Sequence, residues 1–282
     1  MSSARSVVRG LIGDGLPRRY YDASTTTGTS TTRQLVDSVR VEERDFWNGA
    51  SLKISSQEVR VSGGSGEGRL YLDGTLTGIP ASGTSYEIVK GWTIADLDRG
   101  IDEALRWGYP WIYLPINDRT TFSETTGTTE ITLTASWKEI KYVRREIVGS
   151  SPQRWTILME GRDYTIRVGA TGALVFEMLY DPVTGTDLHF VGEGIMTLAA
   201  ADASTCAADD QIIIEGALWW LYRKGVQPDE ASLSASFDAK AQEHQQLFLA
   251  ARSQFSMPRE IKAVQIPSIV FENDGSSVSN WD

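Results

Sequence analysis

Two histidines, one cysteine and an abundance of carboxylates set the limits of the chemistry this chain can perform. His189 and His244 are far apart in sequence, and neither belongs to a His-x-x-x-His or Cys-x-x-Cys pattern, so they make poor zinc ligands. Cys206 stands alone, which excludes an intrachain disulfide and a multi-cysteine metal cluster. A Ser-His-Asp or Cys-His triad would have to recruit one of the two histidines, and no Gly-x-Ser-x-Gly elbow surrounds a serine. His244 falls on the apolar side of a helical pattern and reads as a packed or interface histidine.

The run Gly63, Gly64, Ser65, Gly66, Glu67, Gly68 invites comparison with a phosphate-binding loop. No Lys-Ser or Lys-Thr follows it, and Arg69 to Leu72 has the character of a strand, so a hairpin tip explains the glycines. Asp181, Thr184 and Asp187 offer oxygens suited to calcium, yet Asp-Pro and Thr-Gly are turn pairs and the EF-hand pattern is missing. No carboxylate pair is flanked by a motif that would mark a glycosidase. Lys138, Lys141, Arg144, Arg145 and Arg154 form a basic cluster that reads as a solvated β face or a contact for an acidic neighbour. The expectation is a chain with no catalytic, cofactor-binding or metal-binding residues.

The elements behind these residues alternate between β-like and helical patterns. Leu11 to Thr32 is rich in Gly, Ser and Thr and reads as an extended arm. Short β-like runs follow at Leu35 to Val41, Ser51 to Ile54, Val59 to Val61, Arg69 to Leu72 and Tyr86 to Val89. Thr93 occupies an N-cap position before Ile94, Leu97, Ile101, Ala104 and Leu105, which recur at helical spacing and end near Gly108 and Pro110. A second β-rich stretch comprises Trp111 to Leu114, Glu130 to Leu133, Tyr142 to Val143, Trp155 to Met159, Tyr164 to Val168, Ala173 to Tyr180 and Leu188 to Val191. Its spacing suits a small antiparallel sandwich or jelly roll.

Asp209 and Asp210 can cap a helix over Gln211 to Lys224 that closes on Arg223, Lys224 and Gly225. Ile212, Ile213, Ile214, Ala217, Leu218, Trp219, Trp220, Leu221 and Tyr222 leave that helix almost no polar side, so it must be covered all round, as a core helix or a subunit interface. Pro228 opens another helix, with Leu233, Phe237, Ala241, His244, Phe248, Ala251 and Phe255 at steps of three or four, and Pro258 stops it. The apolar, β-branched run Ile261 to Phe271 contains Pro267, which suits an edge strand or an arm added to a neighbouring subunit.

A 41% hydrophobic share with 9 Trp, 10 Tyr and 8 Phe is ample for a folded core over 282 residues, which allow one large domain or two to three modest ones. Lys+Arg 27 against Asp+Glu 37 gives a net charge of -10, which opposes general attraction to phosphates or to an anionic membrane surface. Met1 to Gly10 lacks the apolar core of a secretory signal, and no apolar stretch reaches the roughly 20 residues that cross a bilayer.

The segment Arg44-Asp-Phe-Trp-Asn-Gly-Ala-Ser-Leu-Lys-Ile54, followed by Val59-Arg-Val61, Arg69 to Leu72, the Ile79-Pro80 turn, Tyr86-Glu-Ile88 and the helix from Thr93, resembles structural proteins of tailed bacteriophages. The order of entry arm, small β unit, helix, inserted β-domain, two helices and C-terminal tail is similar to that of head-to-tail adaptor (connector or neck) proteins. The insertion, roughly Trp111 to Leu198, departs from the small all-helical adaptors. The resemblance implies an α+β fold: a helical adaptor core with a small N-terminal β unit, an inserted antiparallel β-sandwich-like domain and extended N- and C-terminal arms. The corresponding domains are 1–33 (arm), 34–110 (β unit and helix), 111–198 (inserted domain), 199–256 (two helices) and 257–282 (arm).

It further implies a homo-oligomeric ring of about twelve copies in the virion neck, assembled in the host cytoplasm around the DNA channel. The partners would be the portal protein on one side and a stopper or tail protein on the other, with fibres as a further contact, DNA only as channel contents and no membrane. An acidic lumen would avoid gripping the phosphate backbone. The expected assembly interface comprises Ile212, Trp219, Trp220, Phe237, Phe248, Ile261, Val264, Ile266, Ile269 and Phe271. The competing expectation is a receptor- or carbohydrate-binding virion module in which Trp111, Tyr113, Trp137 and Trp155 stack on sugar rings.

Overall fold

The computed structural model describes residues 3–16, 21–65, 67–134, 136–150, 152–199, 203–224 and 231–257. The chain divides into two units, and the described part of the first comprises 3–114 with 195–257, that of the second 115–194.

In the first unit, helix α1 (Arg5–Gly15) precedes strands β1 (Tyr21–Thr25), β2 (Gln34–Val36), β3 (Ser51–Ile54), β4 (Gln57–Ser65), β5 (Arg69–Leu72) and β6 (Ser85–Val89). These six form one antiparallel sheet in the order β1-β6-β3-β4-β5-β2. Just past β1, the Thr27 amide donates to the Val36 carbonyl at 2.9 Å, so the two ends of the sheet meet. Leu35, Leu52, Ile54, Val61, Leu70, Leu72, Tyr86 and Ile88 fill the interior, in keeping with the inward alternation of strand side chains. Arg40 enters this core between the rings of Trp47 and Tyr86, and Tyr86 also donates to Asp37 at 2.6 Å.

Three further helices complete the unit: α2 (Ile94–Gly108), α3 (Asp210–Lys224) and α4 (Ala231–Gln254). Helix α2 opens with a capping box, in which Asp96 N–H donates to Thr93 Oγ1 and Thr93 N–H donates to Asp96 Oδ2, each at 3.0 Å. Helix α3 packs against α1, α2 and α4. Its approach to α4 depends on Gly216, where a Cβ would stand 2.6 Å from Ala104 Cβ and 3.0 Å from the Phe248 ring.

Strands β7 (Leu114–Ser123), β8 (Glu130–Thr132), β9 (Trp137–Ile147), β10 (Arg154–Leu158), β11 (Tyr164–Val168), β12 (Leu174–Met178) and β13 (Asp187–Gly194) build the second unit. They form a four-stranded sheet, β10-β9-β13-β7, and a three-stranded sheet, β11-β12-β8. Trp137, Ile140, Val143, Leu188 and Phe190 from the first sheet share one core with Tyr164, Phe176 and Met178 from the second. Glu124 braces this unit: its buried carboxylate accepts from Arg145 Nε at 2.6 Å, Tyr180 O–H at 2.7 Å and the Val183 amide at 2.8 Å.

The expected helical adaptor core is therefore corrected. Three antiparallel sheets dominate a mostly β protein, and the helices form one cluster in the first unit beside a sheet with its own separate core. The cause is cumulative: many short strands, several with polar exposed faces, consume more of the chain than the conspicuous helical patterns do. The extended N-terminal arm is corrected too, because Arg5–Gly15 is a docked helix with Val8, Ile12 and Leu16 in the helical core and Arg5 and Arg9 buried. Those arginines occupy core-facing helical positions and find carboxylates there. Arg9 meets Glu87 at 2.9 Å and Asp98 at 3.0 Å, while Arg5 meets Asp98 at 2.9 Å and Asp102 at 3.2 Å.

Two outcomes follow from these buried charges. Arg9→Ala strands Glu87 without its counter-charge and leaves Asp98 to Arg5 alone, and it is expected to cost about 3 kcal/mol of stability, measured by chemical denaturation. Burial opposes the charge on Glu124, but Arg145, the Val183 amide and Tyr180 outweigh it and hold the carboxyl below its ordinary value of 4.5. Its stabilising contribution is complete above that value and disappears as the pH falls through the lower, folded-state value. The second unit should therefore lose thermal stability in acid, and Glu124→Gln should be less stable at neutral pH with a shallower acid dependence.

Candidate interaction surface

The side chains most suited to recognition in the first unit are indoles that its helices leave half covered. Trp107, at the end of α2, lies 4.4 Å from Trp219 of α3, centroid to centroid, and Trp219 in turn lies 5.7 Å from Phe248 of α4. Just beyond α2, Trp111 is 41% exposed and carries the Arg252 guanidinium 3.6 Å from its ring centroid. Arg252 also donates to the Trp107 carbonyl at 3.4 Å, and the Met257 amide donates to the Trp111 carbonyl at 2.8 Å. The end of α4 is thus tied to the end of α2, and the indoles are held by backbone as well as by ring contacts.

Trp220 is also half exposed, with Lys224 at 4.8 Å and Arg99 at 5.9 Å from its ring. Lys224 is itself fixed by Asp96 at 2.8 Å, a carboxyl held below its ordinary range because hydrogen bonds from Lys224 and Thr93 exceed the penalty of burial. Between α3 and α4, Trp219, Arg223, Asp238, Ala241, Gln242 and Gln245 line a shallow groove open to solvent. Indoles, amides and ions arranged this way can bind another surface by area, stacking and hydrogen bonds.

No protein-family model and no curated protein matches this chain.

Of the expected interface residues, Ile212 and Phe248 are fully buried and Phe237 nearly so, enclosed by the helices of their own chain. Trp219 and Trp220 keep exposed area. Ile261, Val264, Ile266, Ile269 and Phe271 lie outside the described residues, as do Gly225 and Pro228. The four aromatics expected to stack on sugars divide between the two units. Trp111 and Tyr113 belong to the first unit, where Tyr113 is buried; Trp137 is in the core of the second, and only Trp155 there is partly exposed.

His244 is committed within the helical cluster, with Nδ1 2.7 Å from Glu215 Oε2 and its ring stacked on Tyr222 at 5.4 Å. His189 is buried in the second unit. The basic cluster disperses: Lys141 pairs with Glu193 at 2.7 Å and Arg145 with Glu124, Arg144 lies 4.9 Å from the Tyr142 ring centroid, and Lys138 and Arg154 are exposed. Gly63 to Ser65 pair with Arg69 to Tyr71 in the β4–β5 hairpin. Among the described residues no three His, Cys, Asp or Glu side chains group to hold a metal, and no helix is long and apolar enough to cross a membrane.

Trp107, Trp111, Arg99 and Arg252 escaped the interface inferred from sequence. The available signal was the spacing of Trp107 and Trp111, which brackets the helix end, together with Arg252 one turn beyond Phe248. Trp219→Ala removes the contacts to Trp107 and Phe248 from a partly exposed site, so it should cost about 2 kcal/mol, short of a fully buried Trp deletion. Trp220→Ala should cost less. Paired thermal denaturation of the two variants checks the order.

Proposed function

We propose that this chain is a structural virion protein of the head-to-tail junction, a subunit of a homo-oligomeric ring around the DNA channel between the portal and a stopper or tail protein. It works by association, with no bond made or broken. The observation that carries the reading is four half-exposed indoles on the helical cluster, Trp107, Trp111, Trp219 and Trp220, each braced by a neighbouring ring or cation. Indoles and arginine are the side chains most enriched at the energetic centres of protein interfaces. The similarity in segment order to neck proteins supplies the setting, and the acidic balance of the chain suits a wall beside packaged DNA. The fold behind this role is the mostly β one described above.

Electron microscopy of the chain in its native assembly tests the proposal. A closed ring of about twelve copies around a central channel is the expected result. A trimer, or a peripheral position on the particle, would move the function to receptor binding or decoration. Trp219→Glu with Trp220→Glu should abolish the ring while leaving a folded chain by circular dichroism.

A further inference from the structure

His189 is the one histidine in the second unit, and its surroundings prepare it poorly for charge. It sits on β13 with 1% of its surface exposed, opposite Arg144 of β9 in the sheet register. Its Nε2 lies 2.6 Å from Asn117 Oδ1, a contact that requires the ring to donate from Nε2 and leaves Nδ1 as a bare acceptor. Nδ1 is buried and has no hydrogen-bond partner, and neither has Arg144 Nε on the adjacent strand. The aromatic cover comes from Trp155 of β10, edge-on at 5.5 Å, and Tyr142 of β9 at 6.5 Å.

The charged groups around the ring are unfavourable to an imidazolium. From β7 come Arg119 and Asp118, and Asp118 Oδ1 already accepts from the Thr120 and Thr121 amides. β9 contributes Arg144 and, two residues on along the same face, Glu146, which is engaged by Gln153 Nε2 at 2.9 Å. Asp187 occupies the same face of β13 two residues before the histidine. β10 offers Trp155 but no acidic residue. Burial, then Arg119 and Arg144, push His189 below its ordinary value of 6.5, with Asp118 opposing.

We propose that His189, reaching across β9 to Trp155, is an acid-operated latch on the edge strand β10: neutral, it seats Trp155 and holds β10 on the sheet, and protonated it drives that strand off. Strand β10 is suited to leave. It pairs on one side only, with β9, and Arg154, Thr156 and Ile157 already face solvent. A proton added at Nδ1 creates a buried cation and a donor with no acceptor, between two arginines. Water reaches that donor most directly if Trp155 lifts. Departure of β10 would uncover the backbone donors and acceptors of β9, a ready site for strand addition by a partner. The sign is fixed by the depressed value: the contribution of neutral His189 is whole above 6.5 and lost as the pH falls through the folded-state value.

With only two histidines in the chain, the test can be made on the intact protein. Histidine-labelled full-length chain is titrated by NMR, with His244→Gln assigning the two resonances. Hydrogen exchange, corrected for the intrinsic pH effect, is compared at about pH 7.5 and about pH 5. The latch predicts a His189 midpoint below 6.5. It also predicts about a tenfold loss of protection in β10 for each pH unit between 6.5 and that midpoint, levelling off below it, while β11 and β12 retain theirs. His189→Gln, which keeps an amide beside Asn117 but cannot charge, should lose that response. A midpoint at or above 6.5, unchanged protection in β10, equal loss in β11 and β12, or the same response in His189→Gln would each overturn the proposal. Should the variant not fold, the wild-type midpoint and the strand-resolved exchange still decide it.

Discussion

A helix with almost no polar side must have most of its surface covered to be stable, and α3 imposes that condition on the whole first unit. Helices α1, α2 and α4 supply the cover, each by different means. Helix α2 comes close because Gly100 faces Ala217, and α4 because Gly216 faces Phe248. Helix α1 is short, and isolated helices of its length are marginal in water, so it depends on docking. Its docking combines Val8, Ile12 and Leu16 in the shared core with two arginines whose charges are met by carboxylates of α2 and β6. Glu87, on β6, therefore links the helical cluster to the sheet.

The same device recurs in each compact layer. Arg40 is held in the core of the six-stranded sheet by Asp22, Glu42 and Tyr86, and Glu124 is held in the second unit by Arg145, Tyr180 and a backbone amide. Pairs of this kind add little net stability compared with well-packed apolar side chains, since desolvation offsets most of the attraction. Their effect is asymmetric. Breaking one leaves a buried charge, so alternative packings that separate the partners are disfavoured far more than the native packing is favoured. Short strands with polar outer faces are prone to register slips, and charged anchors restrict the choices.

The legible parts of the chain were those where one local pattern sufficed. Thr93 with Asp96 marks the start of α2, Asp210 with Arg223 and Lys224 brackets α3, and the alternation in Arg69 to Leu72 marks β5. Elements whose stability comes from distant partners were not legible. Helix α1 carries arginines at core positions, whose counter-charges, Glu87 and Asp98, come from far along the chain. Strand β7, Leu114–Ser123, is largely exposed and polar, so no apolar alternation announces it. The surface was half legible. Trp219 and Trp220 stand out in a helix that is otherwise apolar, but the partners that orient them, Trp107 and Arg99, lie on another helix. The basic cluster around Arg144 misled for the converse reason, because Lys141 and Arg145 are taken up by carboxylates of their own unit.

Fixing an aromatic surface before anything binds it has an energetic consequence. Association must order the side chains it uses, at a cost of about 0.5–1.5 kcal/mol for each flexible one. Here that ordering is already present: Arg252 spans the Trp111 ring and the Trp107 carbonyl, Trp219 is held between two aromatic rings, and Trp220 is flanked by Lys224, which Asp96 restrains. An indole that keeps part of its apolar area in water retains the corresponding transfer free energy, about 25 cal/mol per Å², for release on contact. Cations set against these rings keep the surface hydrated when alone and supply donors when covered. A rigid, half-covered set of indoles therefore favours a partner of complementary shape over loose hydrophobic adhesion.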